Sequence, residues 1–134
     1  VRNYIDLEKE NKLDKIETYY KFAKDVNNIK LKSLKKLNNI LLENKKIIGY
    51  GAPAKATTVL NYFGIDDNYF EYVLEDSEIK HNKYIPETNI QIKSKNEINV
   101  DKYEYILVLA WNFFEAIVEN NKTKFKKSKF IKLK

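Results

Sequence analysis

The stretch KIIGYGAPAKATTVLNYFGI, residues 46–65, decides the fold of this chain of 134 residues. Residues 46–50 are a short apolar run, which predicts a buried strand. Residues 51–53 predict a tight turn, because glycine permits backbone angles that a side chain would block. Residues 54–63 predict a helix, and Gly64 follows where a glycine commonly ends one. The stretch therefore predicts a strand, a glycine turn and a helix in succession.

The same alternation of strands and helices continues downstream. We predict further strands and one helix, at residues 70–74, 90–92, 105–109 and 130–133 for the strands and 111–120 for the helix. Ser94 is predicted to cap a brief helix through Ile98. Strands that alternate with helices imply a parallel or mostly parallel sheet. We therefore predict an α/β fold, a Rossmann-like three-layer sandwich with a mostly parallel sheet.

A long helical segment is predicted before this unit. Residues 16–44 contain no glycine or proline, and their apolar residues recur at spacings of three and four. The phase of this pattern slips near residues 27–29, which indicates a kink or two helices. We expect the apolar face to pack on the sheet; the alternative is a dimerisation or interdomain surface.

The chain is expected to be a piece of a longer protein. It has no initiator methionine, and residues 1–15 are polar, which predicts a linker or short helix arriving from an upstream domain. We assign residues 16–134 to the domain itself.

Composition narrows the classes of function. The chain has no cysteine and a single histidine, so we expect neither a metal site nor a disulfide in it. The net charge is +6, yet Arg2 is the only arginine among 25 basic residues, whereas nucleic-acid recognition favours arginine. No apolar run approaches the ~18 residues of a membrane span. We expect a cytoplasmic protein with no nucleic-acid partner and no membrane partner.

Three segments follow predicted strands and are expected to lie at one edge of the sheet. They are residues 51–55, 75–80 and 110–112, and ligands of parallel sheets bind past the carboxyl ends of the strands. The candidate substrate-binding residues lie in or beside these segments: Tyr50, Gly51, Ala52, Pro53, Lys55, Glu75, Asp76, Lys80, Trp111 and Asn112. No residue of this chain is predicted to be catalytic.

Each of these segments has a functional and a purely structural interpretation. Residues 51–55 could hold an anion on the free N–H groups of the helix, with Lys55 adding charge; the alternative is a turn without a ligand. Glu75 or Asp76 could hold a ribose hydroxyl, or they form a solvated acidic loop. Trp111 could stack on a base or sugar, or serve as a core or interface residue. His81 is interpreted as an exposed, idle loop histidine.

The motifs together resemble the C-terminal domain of SAM-dependent sugar C-methyltransferases. The runs YGAPAK at residues 50–55 and LNYFGI at residues 60–65 are similar to the signature of that family. Later stretches fit in the same order: residues 72–76, 80–84, Pro86, Thr88, 90–92, and 105–112 with Glu115. The resemblance covers residues 16–133.

The resemblance implies a protein of three parts and a specific chemistry. Family members have a small zinc-binding domain, a central SAM-binding domain and a Rossmann-like C-terminal domain. They methylate a carbon of a nucleotide-linked deoxysugar in bacteria. The resemblance therefore implies a nucleotide sugar and the SAM-binding domain of the same chain as partners. It also implies that SAM, a zinc ion and the catalytic base belong to the other domains.

The chain departs from the family pattern in one loop. The family usually has glycines near Asn82 and Glu87, and losing both suggests a different loop path. A contact between this loop and a phosphate is therefore not assigned. Two further hypotheses remain beside the family: a stand-alone nucleotide-binding or protein-interaction domain without methyl transfer, and a basic nucleic-acid binder.

Overall fold

A computed structural model describes residues 2–133 of the protein. The predicted linker segment begins at Val1 and the predicted domain ends at Lys134. Both of these end positions lie outside the described residues. Within them the chain forms four α-helices and five strands: α1 (Arg2–Glu10), α2 (Ile16–Leu42), β1 (Ile47–Tyr50), α3 (Ala54–Phe63), β2 (Tyr72–Leu74), β3 (Gln91–Lys93), β4 (Tyr105–Val108), α4 (Phe114–Asn121) and β5 (Lys129–Ile131). Short 3₁₀ turns add Glu78–Lys80, Val100–Lys102 and Trp111–Phe113.

The five strands form one sheet in the order β3-β2-β1-β4-β5, and every pairing is parallel. In the register, Gly49 of β1 lies between Val73 of β2 and Leu107 of β4. The chain adds β2 and then β3 on one side of β1, and it adds β4 and then β5 on the other side. The strand order therefore reverses between β1 and β4, where parallel sheets leave a crevice for a ligand.

Helices cover both faces of the sheet. Successive strand residues point to opposite faces, so each strand contributes to two cores. One core joins the sheet to α2 and α3: Leu37, Ile40, Leu60 and Phe63 with Ile47, Val73, Leu107 and Ile131. The other joins it to α4 and the adjoining loops: Ile48, Tyr50, Leu74, Ile106 and Val108 with Phe114, Ile117 and Phe125. The predicted α/β class, the parallel sheet and the N-terminal helical segment are confirmed.

Helix α2 is one continuous helix, so the predicted division into two helices near residues 27–29 was wrong, and a kink there stays a prediction. Its second half packs on the sheet, with Ser33, Leu37 and Ile40 buried. Its first half carries exposed aromatic side chains, and Phe22 is 67% exposed. The apolar pattern changes phase near residues 27–29, because the helix residues before that point do not pack on the sheet. In residues 2–133 no helix combines the length and apolarity needed to cross a membrane.

The strand-turn-helix unit has the predicted ends. Pro53 precedes α3 in an extended conformation, and Gly64 ends the helix with φ 72° and ψ 40°. The N–H of Gly64 donates to the Asn61 carbonyl, and the N–H of Ile65 donates to the Leu60 carbonyl. These two bonds satisfy carbonyls that a helix end leaves without partners.

Two predicted helices needed correction. Residues 94–98 form a turn, in which Ser94 Oγ accepts from the Asn96 N–H at 3.3 Å and the Ser94 carbonyl accepts from the Glu97 N–H at 3.1 Å. Ser94 thus caps a turn that is too short to propagate as a helix. The helix predicted from Trp111 begins as a 3₁₀ turn, and regular α-helix starts only at Phe114.

Candidate functional site

The loops after β1, β2 and β4 meet at Gly51. Its N–H donates to the Leu74 carbonyl at 2.7 Å, which joins the turn to the end of β2. A Cβ at Gly51 would lie 2.9 Å from Ala110 Cβ, and the residue has φ +83°. Only glycine accepts both this backbone angle and so close a neighbour. The prediction that these segments share one edge is therefore matched by their direct contacts.

The carboxylate of Glu75 binds the turn to the loop after β2. Its Oε2 accepts from the Ala52 N–H at 2.9 Å, and its Oε1 accepts from the N–H groups of Asp76 and Ser77 at 3.0 and 3.1 Å. Lys80 Nζ lies 3.2 Å from Oε2 and also donates to the Ala52 carbonyl. The Glu75 side chain is 13% exposed. It therefore acts as a connector between two loops.

These contacts determine the charge of Glu75. Partial burial by itself would raise the pKa of its carboxyl, but hydrogen bonds from the Ala52 and Ser77 amides and from Lys80 lower that pKa below its usual value. The carboxylate is thus charged at neutral pH, beside the N-terminus of α3. An anion bound on this turn would meet that negative charge, and the Ala52 amide already has a partner. This arrangement does not favour the predicted anion site at Gly51 and Ala52. It does not favour the predicted ribose contact by Glu75 either, and both stay predictions.

Tyr50 and Asp76 form a second network, on the other face of the sheet. The Tyr50 hydroxyl lies 2.9 Å from Asp76 Oδ2 and 3.3 Å from Asn121 Oδ1, and Lys95 Nζ lies 2.9 Å from Asp76 Oδ1. Tyr50 is 3% exposed. Burial, together with the Asp76 carboxylate, raises the pKa of Tyr50 to about 12. Burial would raise the pKa of Asp76, but bonds from Lys95 and Tyr50 lower it below its usual value.

Lys55 and Trp111 form the third contact at this edge. Lys55 Nζ lies 4.5 Å from the centroid of the Trp111 ring, within the range of a cation–π interaction. Trp111 is half-buried and also lines a cavity of about 250 Å³ together with Ile29, Val59, Phe63 and Leu133. The exposed Asn112 follows it. The pair joins the segment after β1 to the segment after β4, on the two sides of the crevice.

The predicted residues therefore separate into three groups. Glu75, Lys80 and Ala52 support the turn, Tyr50 and Asp76 lie in an internal network, and Lys55 and Trp111 lie over the crevice. Their assignment to substrate binding stays a prediction. Among residues 2–133, His, Asp and Glu side chains form no group of three that could hold a metal ion.

Sequence reasoning missed three side chains of these networks. Lys95 pairs with Asp76, and Asn121 accepts from Tyr50 across 71 positions of the chain. His81 is half-buried, with Nε2 2.7 Å from the Glu75 carbonyl oxygen, so its interpretation as exposed was wrong, while its lack of a functional role stays a prediction. The 3₁₀ turn Glu78–Lys80 folds His81 back onto Glu75, and nothing in the local residue pattern indicates this.

The loop that lacks the family's glycines keeps a glycine-like backbone. Asn82 has φ 61° and Glu87 has φ 63°, in the left-handed region. The loop returns along β3, where the Asn82 N–H donates to the Ile92 carbonyl and the Ile92 N–H donates to the Lys83 carbonyl. Losing both glycines therefore does not by itself require a different loop path.

The chain is similar to known proteins along most of its length. A family model described as the C-methyltransferase C-terminal domain matches residues 1–133. The C-methyltransferase NovU of Streptomyces niveus is 26% identical to the chain over 104 residues. That match covers 78% of this chain and 25% of NovU, so the matched part is about a quarter of the relative's length.

Proposed function

Because the chain belongs to the C-methyltransferase C-terminal domain family, we propose that it is the substrate-binding and structural domain of a SAM-dependent C-methyltransferase. The proposed substrate is a nucleotide-linked deoxysugar. The SAM site, a zinc ion and the catalytic base belong, in this proposal, to other domains of a longer protein. The similarity to a quarter of a named C-methyltransferase supports such a division of labour.

The Lys55–Trp111 pair carries the substrate-binding part of the proposal. It lies at the crevice between β1 and β4, where parallel sheets bind their ligands. Trp111 offers a broad aromatic surface to a sugar or base, and Lys55 offers a positive charge to a phosphate. The exposed amide of Asn112 adds hydrogen-bond donors and an acceptor beside them.

Glu75 takes a positioning role in this proposal. It holds the amide of Ala52 and the ammonium group of Lys80 together, and so fixes the turn that leads into α3. Lys55 lies in the first turn of that helix. The hydrogen bonds of Glu75 thus determine where the charge of Lys55 stands relative to Trp111.

Calorimetric titration of the chain with nucleoside-diphosphate deoxysugars tests the binding role. Trp111→Ala is expected to weaken binding about tenfold, since stacking of a base contributes ~1–3 kcal/mol. Lys55→Gln is expected to weaken it by a similar factor through the lost charge. Lys24→Gln, which removes an equal charge from the exposed first half of α2, is the matched control and should leave the affinity unchanged.

Two outcomes would contradict the binding role. A folded chain that gives no heat with any nucleotide sugar would leave the domain a scaffold only. If Trp111→Ala and the unchanged chain bound the nucleotide sugar with equal affinity, the ligand would not lie at the crevice.

The exposed first half of α2 is proposed to contact the SAM-binding domain of the same longer chain. Phe22, Val26 and Ile29 line an apolar groove of about 460 Å³ with Val59 and Tyr62 of α3. Contiguous exposed apolar surface of this kind marks an interaction site. A relative such as NovU has three quarters of its length outside the matched part, and a corresponding part of a longer chain would be available to cover this groove.

Hydrogen exchange distinguishes the possible occupants of this groove. Amides of residues 16–30 should exchange at least about tenfold more slowly in the longer protein than in the 134-residue chain. Sedimentation should show the 134-residue chain as a monomer at micromolar concentration. A dimer that protects the same amides would instead assign the groove to a second copy.

A further inference from the structure

A groove rich in lysine lies at the edge of the sheet opposite the candidate site. It has a volume of about 530 Å³ and is formed by the second half of α2 and the starts of β4 and β5. Lys32, Lys35 and Lys36 line it from α2, and Tyr105, Lys129 and Phe130 line it from the strands. We call it the lysine groove. Tyr105 and Lys129 begin their strands, so the groove opens at the amino ends of the strands.

The positive charges of the lysine groove have no partners in the described part of the chain. Lys32, Lys35 and Lys36 share a helix face through spacings of three and four, and Lys129 approaches them from β5. None of the ion pairs within residues 2–133 involves these four lysines. One acidic residue, Glu43, also lines the groove. The local charge is therefore net positive, with four lysines and one glutamate.

The lysines crowd one another. Burial, and then the positive charge of Lys129, lower the pKa of Lys36 below its usual value. These lysines do not serve to balance the negative C-terminal end of the α2 dipole, because α2 has no basic residue in its last turn. An anion placed between Lys36 and Lys129 would offset their repulsion.

The floor of the groove is apolar. Ile40 and Ile131 are buried beneath it, and Tyr105, which packs on the same core, is half-buried at its wall. Lysines on an ordinary solvated helix face need no concave apolar surface beside them. Cations at a rim and an aromatic wall suit a ligand that carries both phosphate and a ring.

We propose that the lysine groove binds a small organic phosphate of the nucleotide type. Its phosphates would lie between Lys36 and Lys129, and its ring would lie against Tyr105. This site is separate from the proposed substrate crevice, which lies at the carboxyl ends of β1 and β4. The inference therefore goes beyond the proposed function and does not depend on it.

An NMR titration of ¹⁵N-labelled chain tests the proposal with adenosine diphosphate, pyrophosphate and adenosine as probes. Adenosine diphosphate should bind most tightly and shift amides of residues 32–43 and 129–131. Lys36→Gln/Lys129→Gln should weaken its binding at least about tenfold, since the loss of even one contact to a charged group contributes about that much. Lys21→Gln/Lys24→Gln removes the same charge from the exposed first half of α2 and should change the affinity less than about twofold.

Several results would overturn the proposal. Equal weakening by the two double variants would assign the binding to net charge alone. Pyrophosphate binding as tightly as adenosine diphosphate would remove the role of the aromatic wall. Shifts confined to residues 50–56 and 110–112 would place the nucleotide in the substrate crevice. A glutamate-rich peptide that binds more tightly than adenosine diphosphate, with shifts at the same groove amides, would assign the groove to an acidic protein segment.

Discussion

At the scale of single residues, two glycines with similar backbone angles differ in their surroundings. Gly51 has φ +83° and Ala110 Cβ at 2.9 Å from the position of an added Cβ, whereas Gly64 has φ +72° and nothing within 4 Å. Gly51→Ala should therefore combine left-handed strain with overpacking and lower the free energy of unfolding by about 2–4 kcal/mol. Urea unfolding followed by circular dichroism measures this change.

Gly64→Ala is the matched control for that prediction. It carries the strain of the left-handed backbone but no close contact, so it should lower the free energy of unfolding by only about 1 kcal/mol. Equal losses for both variants would show that the loops after β1 and β4 do not pack as closely as the Gly51–Ala110 contact indicates.

Glu87 offers a residue-scale test with the opposite sign. It is an exposed non-glycine residue with φ 63°. Glu87→Gly should relieve the left-handed strain and raise the free energy of unfolding by up to about 1 kcal/mol, after the entropy that glycine loses on folding. Glu87→Ala keeps the strain and should change stability little. Thermal unfolding of the two variants side by side would contradict the prediction if glycine were no better than alanine.

At the scale of elements, the two halves of α2 have different roles. Leu37 is 1% exposed and packs in the core, whereas Phe22 lies on the exposed half. Leu37→Ala should lower the free energy of unfolding by about 2–5 kcal/mol, because it leaves a cavity against the sheet. Phe22→Ala should change it by less than about 0.5 kcal/mol in the 134-residue chain. A large loss for Phe22→Ala would mean that the first half of α2 already has a partner in this chain.

At the scale of the whole molecule, Tyr50 joins β1 to the loop after β2 and to the end of α4. Its pKa is raised to about 12 in the folded protein, from an ordinary value of about 10. The neutral phenol is thus favoured by folding. Its contribution to stability is complete below pH ~10 and is lost as the pH rises from about 10 to about 12. The loss should reach about 2–3 kcal/mol across that window.

Tyr50→Phe isolates this contribution. The variant should be less stable than the unchanged protein at pH 8, by about 1 kcal/mol for the lost hydrogen bond. Between pH 10 and 12 the difference should shrink or reverse, because in the unchanged protein the phenol ionises in the unfolded chain but stays neutral in the folded one, which favours the unfolded state, whereas phenylalanine does not titrate. Urea unfolding at a series of pH values measures both curves, and curves that stay parallel to pH 12 would contradict the prediction.

Much of the fold was predictable because its signals are local. The apolar run at 47–50, the turn at Gly51 and the helix end at Gly64 each depend on neighbouring residues, and all three are present. The helix predicted from Ser94 failed because capping alone does not stabilise so short a segment. The break predicted in α2 failed because a change in burial along one helix also shifts its apolar pattern.

The candidate site was predictable only as a region. The positions after β1, β2 and β4 were identified, since parallel strands bring their carboxyl ends to one edge. The partner of each side chain was not, because the Asp76–Lys95 and Tyr50–Asn121 contacts join residues that are distant in the chain. Glu75 is an internal connector because of its contacts with Ala52 and Lys80, and Lys55 lies at the crevice because of its contact with Trp111.

The sequence by itself determined the order of elements, the parallel α/β class and the family, because residue periodicity, glycine placement and short motifs act within a few residues. Tertiary structure alone decided that Glu75 uses its carboxylate to hold Ala52 and Lys80, and that Lys36 and Lys129 share one groove. Those pairings depend on strand order and on how helices pack across the sheet. Hydrogen bonds and charges then act over a few ångströms in space, between residues that local patterns do not relate.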